Sequence, residues 1–379
     1  MGRSKEVAVL NIGSHYVSVA VGVKLNERMF GIRGMGQATY LGYDEESWYD
    51  GSEIESAIRM AYLQAERKAG VKISKLGTLY VGLPSMFCQV RETEVVVEFS
   101  KKRKITSSDV SSVINRANPF RSEMDYIVIE KSISYFYLDN VEKMKLMEPV
   151  GLEARNMTAR VAVVAAERRV LDFFNEIFAR IGIKDFKYTN SVFAEANYLY
   201  SPETRDNRVL FIDLGYLATT VAFARGDGVQ HMVTIPMGGA HIISDVSYYF
   251  GIDYDLAEEV YGKLDLAWGA QSMDTYGVDT DLGLLELPMI KVNEVAAARI
   301  EEIALYVKHC IQTSPYKYPS HLPLGLTGSG IANIRGAKEL LSRKVGKSVD
   351  VEVPSAPGYE KAEYSQIASL VDYAIRRKK

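Results

Sequence analysis

The sequence predicts an α/β fold of two similar lobes, each a mixed sheet flanked by helices, with a small α+β unit inserted into the first. Two observations carry this expectation. "VAVLNIGSHYVSVAV" (Val7 to Val21) aligns without a gap on "VLFIDLGYLATTVAF" (Val209 to Phe223), setting Asn11 on Asp213, Gly13 on Gly215 and Val19 on Val221. Both stretches read as hairpins, and a repeat at so long a spacing points to a duplicated domain whose halves face each other across a cleft. The rest of the chain alternates strand-like and helix-like segments, as flanked mixed sheets require. The expected boundaries are 1–81 for the start of the first lobe, 82–163 for the insertion, 164–207 for completion of the first lobe, 208–353 for the second lobe and 354–379 for a C-terminal helix returning to the first.

In chain order, "SEIESAIRMAYLQAERKAG" reads as a helix, with Ser52 and Glu55 as a capping box, Ile54, Ile58, Tyr62 and Ala65 on one face and Gly70 as its stop. "TLYVGLP" follows as a strand. "QVRETEVVVEF", "TSSDVSSVINRANP", "YIVIEKSISYFYLD" and "ARVAVVAA" then give the strand, helix, strand, strand of the insertion. Helices at "RRVLDFFNEIFARIG" and "SVFAEANYLY" lead into the second hairpin. "VQHMVTIPMGG" adds a strand, with Gly238 and Gly239 ahead of a helix from near His241. A helix around Asn293 to Ile311, a strand, turn and helix at "LPLGLTGSGIANIRGAKELLSR", a strand at "SVDVEV" and a terminal helix from about Ala362 complete the chain.

The 379 residues, 47% hydrophobic, suffice to fill two cores, and a net charge of −3 argues against a nucleic-acid binder. No apolar run is long enough to span a bilayer, and the N-terminus passes straight into a strand pattern, so a cytoplasmic protein is expected. Cys88 and Cys310 form no metal or disulfide motif, and the five histidines show no ligand spacing. "LTGSGIANIRG" (Leu326 to Gly336) is either a ligand loop that offers backbone amides or a tight connection before a helix. "VGKS" (Val345 to Ser348) lacks the first glycine of a P-loop, and "KKRK" (Lys101 to Lys104) is a solvated turn before it is a binding patch.

These features, with the stretches "AIRMAYLQAERKAGVKISKLGTLYVGLPS", "ISYFYLDNVEKMKLMEPVGLEARNMTARVAVVAA", "IPMGGAHIISDVSYYFGIDYDLAEEVYGKL" and "ARIEEI", resemble the actin-like superfamily and, within it, the FtsA family of bacterial cell-division proteins. The resemblance runs from about Val7 to Ile375, and a related pilus-assembly adaptor shares the insertion. It implies an ATP cleft with magnesium between the lobes, filaments assembled through the inserted unit, and tethering of FtsZ filaments to the membrane. Carried onto this chain, the first phosphate loop is Asn11 to His15, with Gly13 and Ser14 inside it, and the second is Asp213 to Thr219, with Gly215. The adenosine loop is Gly328, Ser329 and Gly330, and Glu258 contacts ribose. Asp213 is the expected metal-facing group, and Lys291 and Arg299, on nearly the same face of one helix, receive the acidic C-terminal tail of FtsZ.

Departures gather in the cleft. Asn11 stands for an aspartate that holds magnesium through water, and Tyr216 and Leu217 stand for glycines of the second phosphate loop. Asn190 stands for a glutamate near the attacking water, and Tyr261 for a lysine near the base. Changes at five positions of one site imply a weakened nucleotide site, at most a very weak ATPase, and argue against an actin-fold small-molecule kinase. Where the family continues into an amphipathic membrane helix this chain stops at "YAIRRKK", so membrane contact is expected through a partner or a further segment. The four terminal basic residues would add about 1 kcal/mol each toward anionic lipid, too little for firm anchoring.

Overall fold

A computed structural model describes residues 6–26, 29–44, 48, 50–142, 144–267, 273–281 and 283–378. Of the terminal basic run, Lys379 lies outside them. The first hairpin is β1 (Glu6–Ile12) and β2 (Tyr16–Lys24), and β3 (Phe30–Thr39) extends it. Helix α1 (Gly51–Ala69) packs on this sheet and returns the chain to β4 (Leu79–Leu83), which joins β1 in parallel. The insertion is β5 (Cys88–Lys104), α2 (Ser107–Arg116), β6 (Tyr126–Leu138) and β7 (Glu153–Glu167). Then α3 (Arg168–Ile181), β8 (Phe186–Asn190), α4 (Ser191–Leu199) and the short α5 (Pro202–Asp206) lead into the second lobe.

That lobe opens on β9 (Val209–Leu214), β10 (Thr219–Arg225) and β11 (Gly228–Ile235), followed by α6 (Gly239–Phe250) and α7 (Tyr254–Tyr261). A hairpin of β12 (Thr275–Thr280) and β13 (Gly283–Pro288) precedes the long α8 (Met289–Thr313). Strand β14 (Leu324–Thr327), α9 (Ala337–Val345), β15 (Val349–Val351) and α10 (Ser365–Arg377) close the chain.

The strand orders β3-β2-β1-β4-β8 and β11-β10-β9-β14-β15 are the same topology twice. The register repeats with it: Asn11 lies opposite Ser18 and beside Gly82, while Asp213 lies opposite Thr220 and beside Thr327. The α/β fold with two like sheets is therefore present, and the strand ends that carry Asn11 and Asp213 are equivalent positions. Helix α10 packs on the first sheet through Ile367, Leu370 and Val371, which meet Val7, Val9 and Ala20. The insertion folds as the sheet β5-β7-β6 around its own core of Val95, Phe120, Phe136, Met157 and Val161, and its helix starts at a Thr106–Asp109 capping box.

Two local expectations need correction. Helix α1 is capped by Asp50, whose side chain accepts from the amides of Ser52 and Glu53; Glu55 instead binds Arg59 and Arg180 on the surface. Gly70 does end it, in the left-handed conformation at φ 67°. The strand, turn and helix expected at "LPLGLTGSGIANIRGAKELLSR" are present as β14, the turn from Gly328 to Gly336 and α9. Finally, β3 and the β12–β13 hairpin were not foreseen. Among the described residues no helix is long and apolar enough to cross a membrane.

Candidate functional site

Three segments converge on the cleft between the lobes: the turn after β1, the turn after β9, and the start of α10. Asn11 is 4% exposed. Its Nδ2 donates to Gln366 Oε1 at 2.8 Å, and its Oδ1 accepts from Ser191 Oγ at 2.8 Å. Gln366 Nε2 in turn donates to Asp213 Oδ2 at 2.6 Å. One side-chain amide therefore bridges the two equivalent strand ends and ties α10 to both lobes. Gln366 was missed in the sequence because nothing in its neighbourhood forms a motif.

The turn expected as a second phosphate loop is filled by the chain's own side chains. The Tyr216 ring stacks on His15 with centroids 4.1 Å apart, and its hydroxyl lies 2.7 Å from that of Tyr254 and donates to Glu258 Oε1 at 3.0 Å. Leu217 N donates to Ser14 Oγ at 3.1 Å. Tyr16 reaches Ser329 across the cleft, and burial pushes its phenol up to about 12. Burial also holds the His15 imidazole below its ordinary value, against the pull of Glu258.

The glycines serve close backbone contacts. A Cβ on Gly328 would lie 2.5 Å from Asp213 Oδ1, and one on Gly330 would lie 2.7 Å from Gly215 O. Gly330 N donates to Leu214 O at 2.7 Å, while the first amides of α6, on Gly239 and Ala240, donate to the carbonyls of Gly215 and Tyr216 at 3.0 and 2.8 Å. Backbone donors that would face an anion at this helix start are thus already paired. Gly13 accepts a hydrogen bond from Tyr40 at its carbonyl, and the Tyr261 hydroxyl donates to Gly330 O. Asn190 caps α4, accepting from Phe193 N at 2.9 Å and donating to Ser85 Oγ at 3.1 Å.

The inner cavity bounded by Asn11, Ser14, Asp213, Gly215, Gly328 and Gln366 measures about 60 Å³, against roughly 300–1,000 Å³ for ordinary ligand pockets. Magnesium takes about six oxygen ligands in a near-octahedral shell. Here Asp213 stands beside two amides already bonded to each other, and among the described residues no three His, Cys, Asp or Glu side chains are grouped for a metal. The residues present do not fit a magnesium nucleotide.

Beneath this lattice lies an acidic pair. Asp213 is 6% exposed and its Oδ1 has no protein partner; burial raises its carboxyl to about 6, with the Gln366 hydrogen bond pulling the other way. Glu195 on α4 is fully buried with neither oxygen partnered, and burial, reinforced by the charge of Asp213, raises its carboxyl well above the usual range. A lone acid in the apolar run "SVFAEANYLY" was the visible signal for it.

The expected partner-binding residues are not alike. Both lie on α8, but Arg299 is held inside the second lobe, donating to both oxygens of Asp245 on α6 at 2.6 and 2.8 Å and to Glu302 at 2.6 Å. Lys291 is exposed and paired only with Glu294 one turn away, at 2.8 Å. Arg299→Ala is therefore expected to lower stability by about 1 kcal/mol through loss of the α6–α8 ion pairs. A urea titration measures it, and an unmoved midpoint would show that the pairs carry no weight.

A family model described as cell division protein FtsA matches residues 210–370. The FtsA of Streptococcus pneumoniae is 26% identical over 383 residues, covering 99% of this chain and 81% of the relative. Among solved structures, a chain from a PilM-PilN type IV pilus biogenesis complex superposes with a TM-score of 0.63 at 14% identity, with 98% of each chain covered. MreB5 of Spiroplasma citri bound to ADP superposes with a TM-score of 0.56 at 10% identity, covering 97% of this chain and 95% of that one. These superpositions establish the actin-like fold, and the family model over the second lobe and the relative over nearly the whole chain make it similar to the FtsA cell-division proteins.

Proposed function

We propose that this chain acts in bacterial cell division as an actin-like adaptor, assembling into filaments and linking FtsZ to the inner face of the membrane, with its interlobe cleft held together by its own side chains in place of magnesium ATP. Similarity to FtsA proteins over nearly the whole chain supports the role. The observation that carries the second half is the Gln366 bridge between Asn11 and Asp213, which joins the lobes where a nucleotide phosphate would do so. An adaptor needs a fixed interlobe angle for regular assembly, and a permanent side-chain bridge supplies that angle without a nucleotide cycle.

The described basic side chains at the end of α10 are engaged within the chain. Arg376 is paired with Asp372, Arg377 with Glu130, and Lys378 donates to the carbonyls of Glu6 and Leu76. Of the two residues expected to receive an acidic FtsZ tail, Lys291 is the more open to it, since Arg299 is engaged within the lobe.

The expected result is no saturable heat with millimolar magnesium ATP in calorimetry, together with filaments in electron microscopy that form equally with and without nucleotide. Micromolar ATP binding, or filaments that demand it, would sink the bridged-cleft reading.

A further inference from the structure

Away from the cleft, three basic side chains gather where the insertion meets the second lobe. Asp227 N donates to Ile133 O at 2.9 Å, which pins the β10–β11 turn to β6, and Leu146 and Phe136 exchange backbone hydrogen bonds at 2.8 and 2.7 Å. These contacts set Lys145, beside Leu146, and Arg225, at the end of β10, against one ring. Lys145 Nζ is 4.6 Å and Arg225 Cζ 4.9 Å from the centroid of Tyr135. Arg208, just before β9, gives its Nε to Gln230 Oε1 at 2.7 Å and one terminal nitrogen to Lys317 O at 2.8 Å. Its backbone is held at φ 68°, an uncommon conformation for a residue with a side chain.

What this cluster lacks is acceptors. Among the described residues Arg225 and Lys145 make no side-chain hydrogen bond, and no carboxylate lies within 4.0 Å of Lys145, Arg208 or Arg225. Arg225 Nε is buried without a partner, while its terminal nitrogens keep contact with solvent. The two neighbouring carboxylates are engaged elsewhere: Glu94 binds Arg160 at 2.9 Å, and Glu92 accepts from Gln230 Nε2 at 2.7 Å and from the Tyr316 hydroxyl at 3.0 Å. Partial desolvation lowers the Lys145 ammonium from its ordinary value, and the charges of Arg225 and Arg208 push the same way. Like charges held together in this way favour an anion between them.

We propose that this cluster binds a phosphate group, received by the terminal nitrogens of Arg225, the free terminal nitrogen of Arg208 and Lys145 Nζ. A carboxylate is satisfied by a single guanidinium fork, whereas a phosphate offers three or more oxygens and up to two charges to donors supplied by three segments. The inference is independent of whether the cleft takes a nucleotide. Its ligand has two sources, a phospholipid headgroup or a free phosphate compound.

Calorimetry of the full chain with inorganic pyrophosphate at physiological salt tests the free source. Co-sedimentation with vesicles of one part phosphatidylglycerol to four parts phosphatidylcholine tests the lipid. Saturable binding in at least one arm is expected, and the arm that saturates names the source. Arg225→Gln should weaken it about tenfold. Lys145→Gln, at an exposed side chain, should weaken it severalfold, with thermal melting confirming folded chains. Lys338→Gln, which removes an equal charge from α9, should leave it unchanged. No saturation in either arm, saturation that neither cluster variant weakens, or a loss as large in Lys338→Gln as in Arg225→Gln overturns the inference.

Discussion

Replacing Glu195 with methionine is expected to stabilise the protein at neutral pH and to flatten the fall of stability with rising pH. The carboxyl is fully buried and neither oxygen has a protein partner, a burden of about 1–3 kcal/mol that an apolar chain of similar volume removes. The pH effect has its own direction. Folding raises both Glu195 and Asp213, so at mildly acidic pH the folded chain keeps protons that the unfolded chain has released. For Asp213, stability is fully present below its ordinary 3.8 and is lost as pH climbs through about 6. That gap is worth roughly 3 kcal/mol. Glu195 extends the loss to higher pH, because burial and the Asp213 charge both oppose its ionisation. Denaturant titrations from pH 4 to 9 should show native stability declining across this range and the Glu195→Met variant declining less. Glu195→Gln separates the two contributions: it removes the titration but leaves a buried polar group, so its curve should be flatter without the full gain. A Glu195→Met variant less stable than the native chain at pH 7.5 would show that the carboxyl has a stabilising role.

The duplicated hairpins were legible in the sequence because strands buried on both faces are written as continuous apolar runs, and both hairpins keep the polar residue at the same strand end. Strand β3 was not, for a packing reason. "FGIRGMGQAT" carries glycines where α1 presses on the sheet: a Cβ on Gly36 would fall 2.0 Å from Ala61 O and one on Gly34 2.4 Å from Ala69 N. Tertiary contact demanded residues of poor strand propensity. The Gly-rich turn was legible as a connection between strand and helix, but not the contacts its glycines answer to, which lie on Leu214 and Gly215 of the neighbouring strand end. Within the site, the positions that depart from the family were visible one by one. What joins them was not, because Gln366 lies 355 residues from Asn11 and 153 from Asp213, and no local pattern encodes such a contact.

That bridge decides how the cleft responds to repair. Asn11→Asp with Tyr216→Gly and Leu217→Gly restores the residue types of a phosphate site, yet it is expected to leave magnesium ATP affinity essentially unchanged. In the native chain Gln366 receives a hydrogen bond from Asn11 and gives one to Asp213, an arrangement matched to one amide and one carboxylate. With aspartate at position 11, Gln366 Oε1 faces an acceptor, and turning the amide over would only move the conflict to Asp213. The triple variant thus trades a satisfied network for buried repulsion while Gln366 still occupies the space between the carboxylates. Adding Gln366→Ala clears that space and leaves two facing carboxylates that a dication can neutralise. The quadruple variant should bind magnesium ATP at least tenfold more tightly than the triple, about 1.4 kcal/mol, and magnesium ATP should raise its melting temperature. Hydrolysis should stay slow in both, because Asn190 caps α4 and offers no base. Calorimetry on the native, triple and quadruple chains, with Gln366→Ala alone as control, measures the difference. Equal affinity in the triple and quadruple variants would show that the Gln366 bridge does not bar the nucleotide, and the closure of the cleft would then have to be credited to Tyr216 and Leu217.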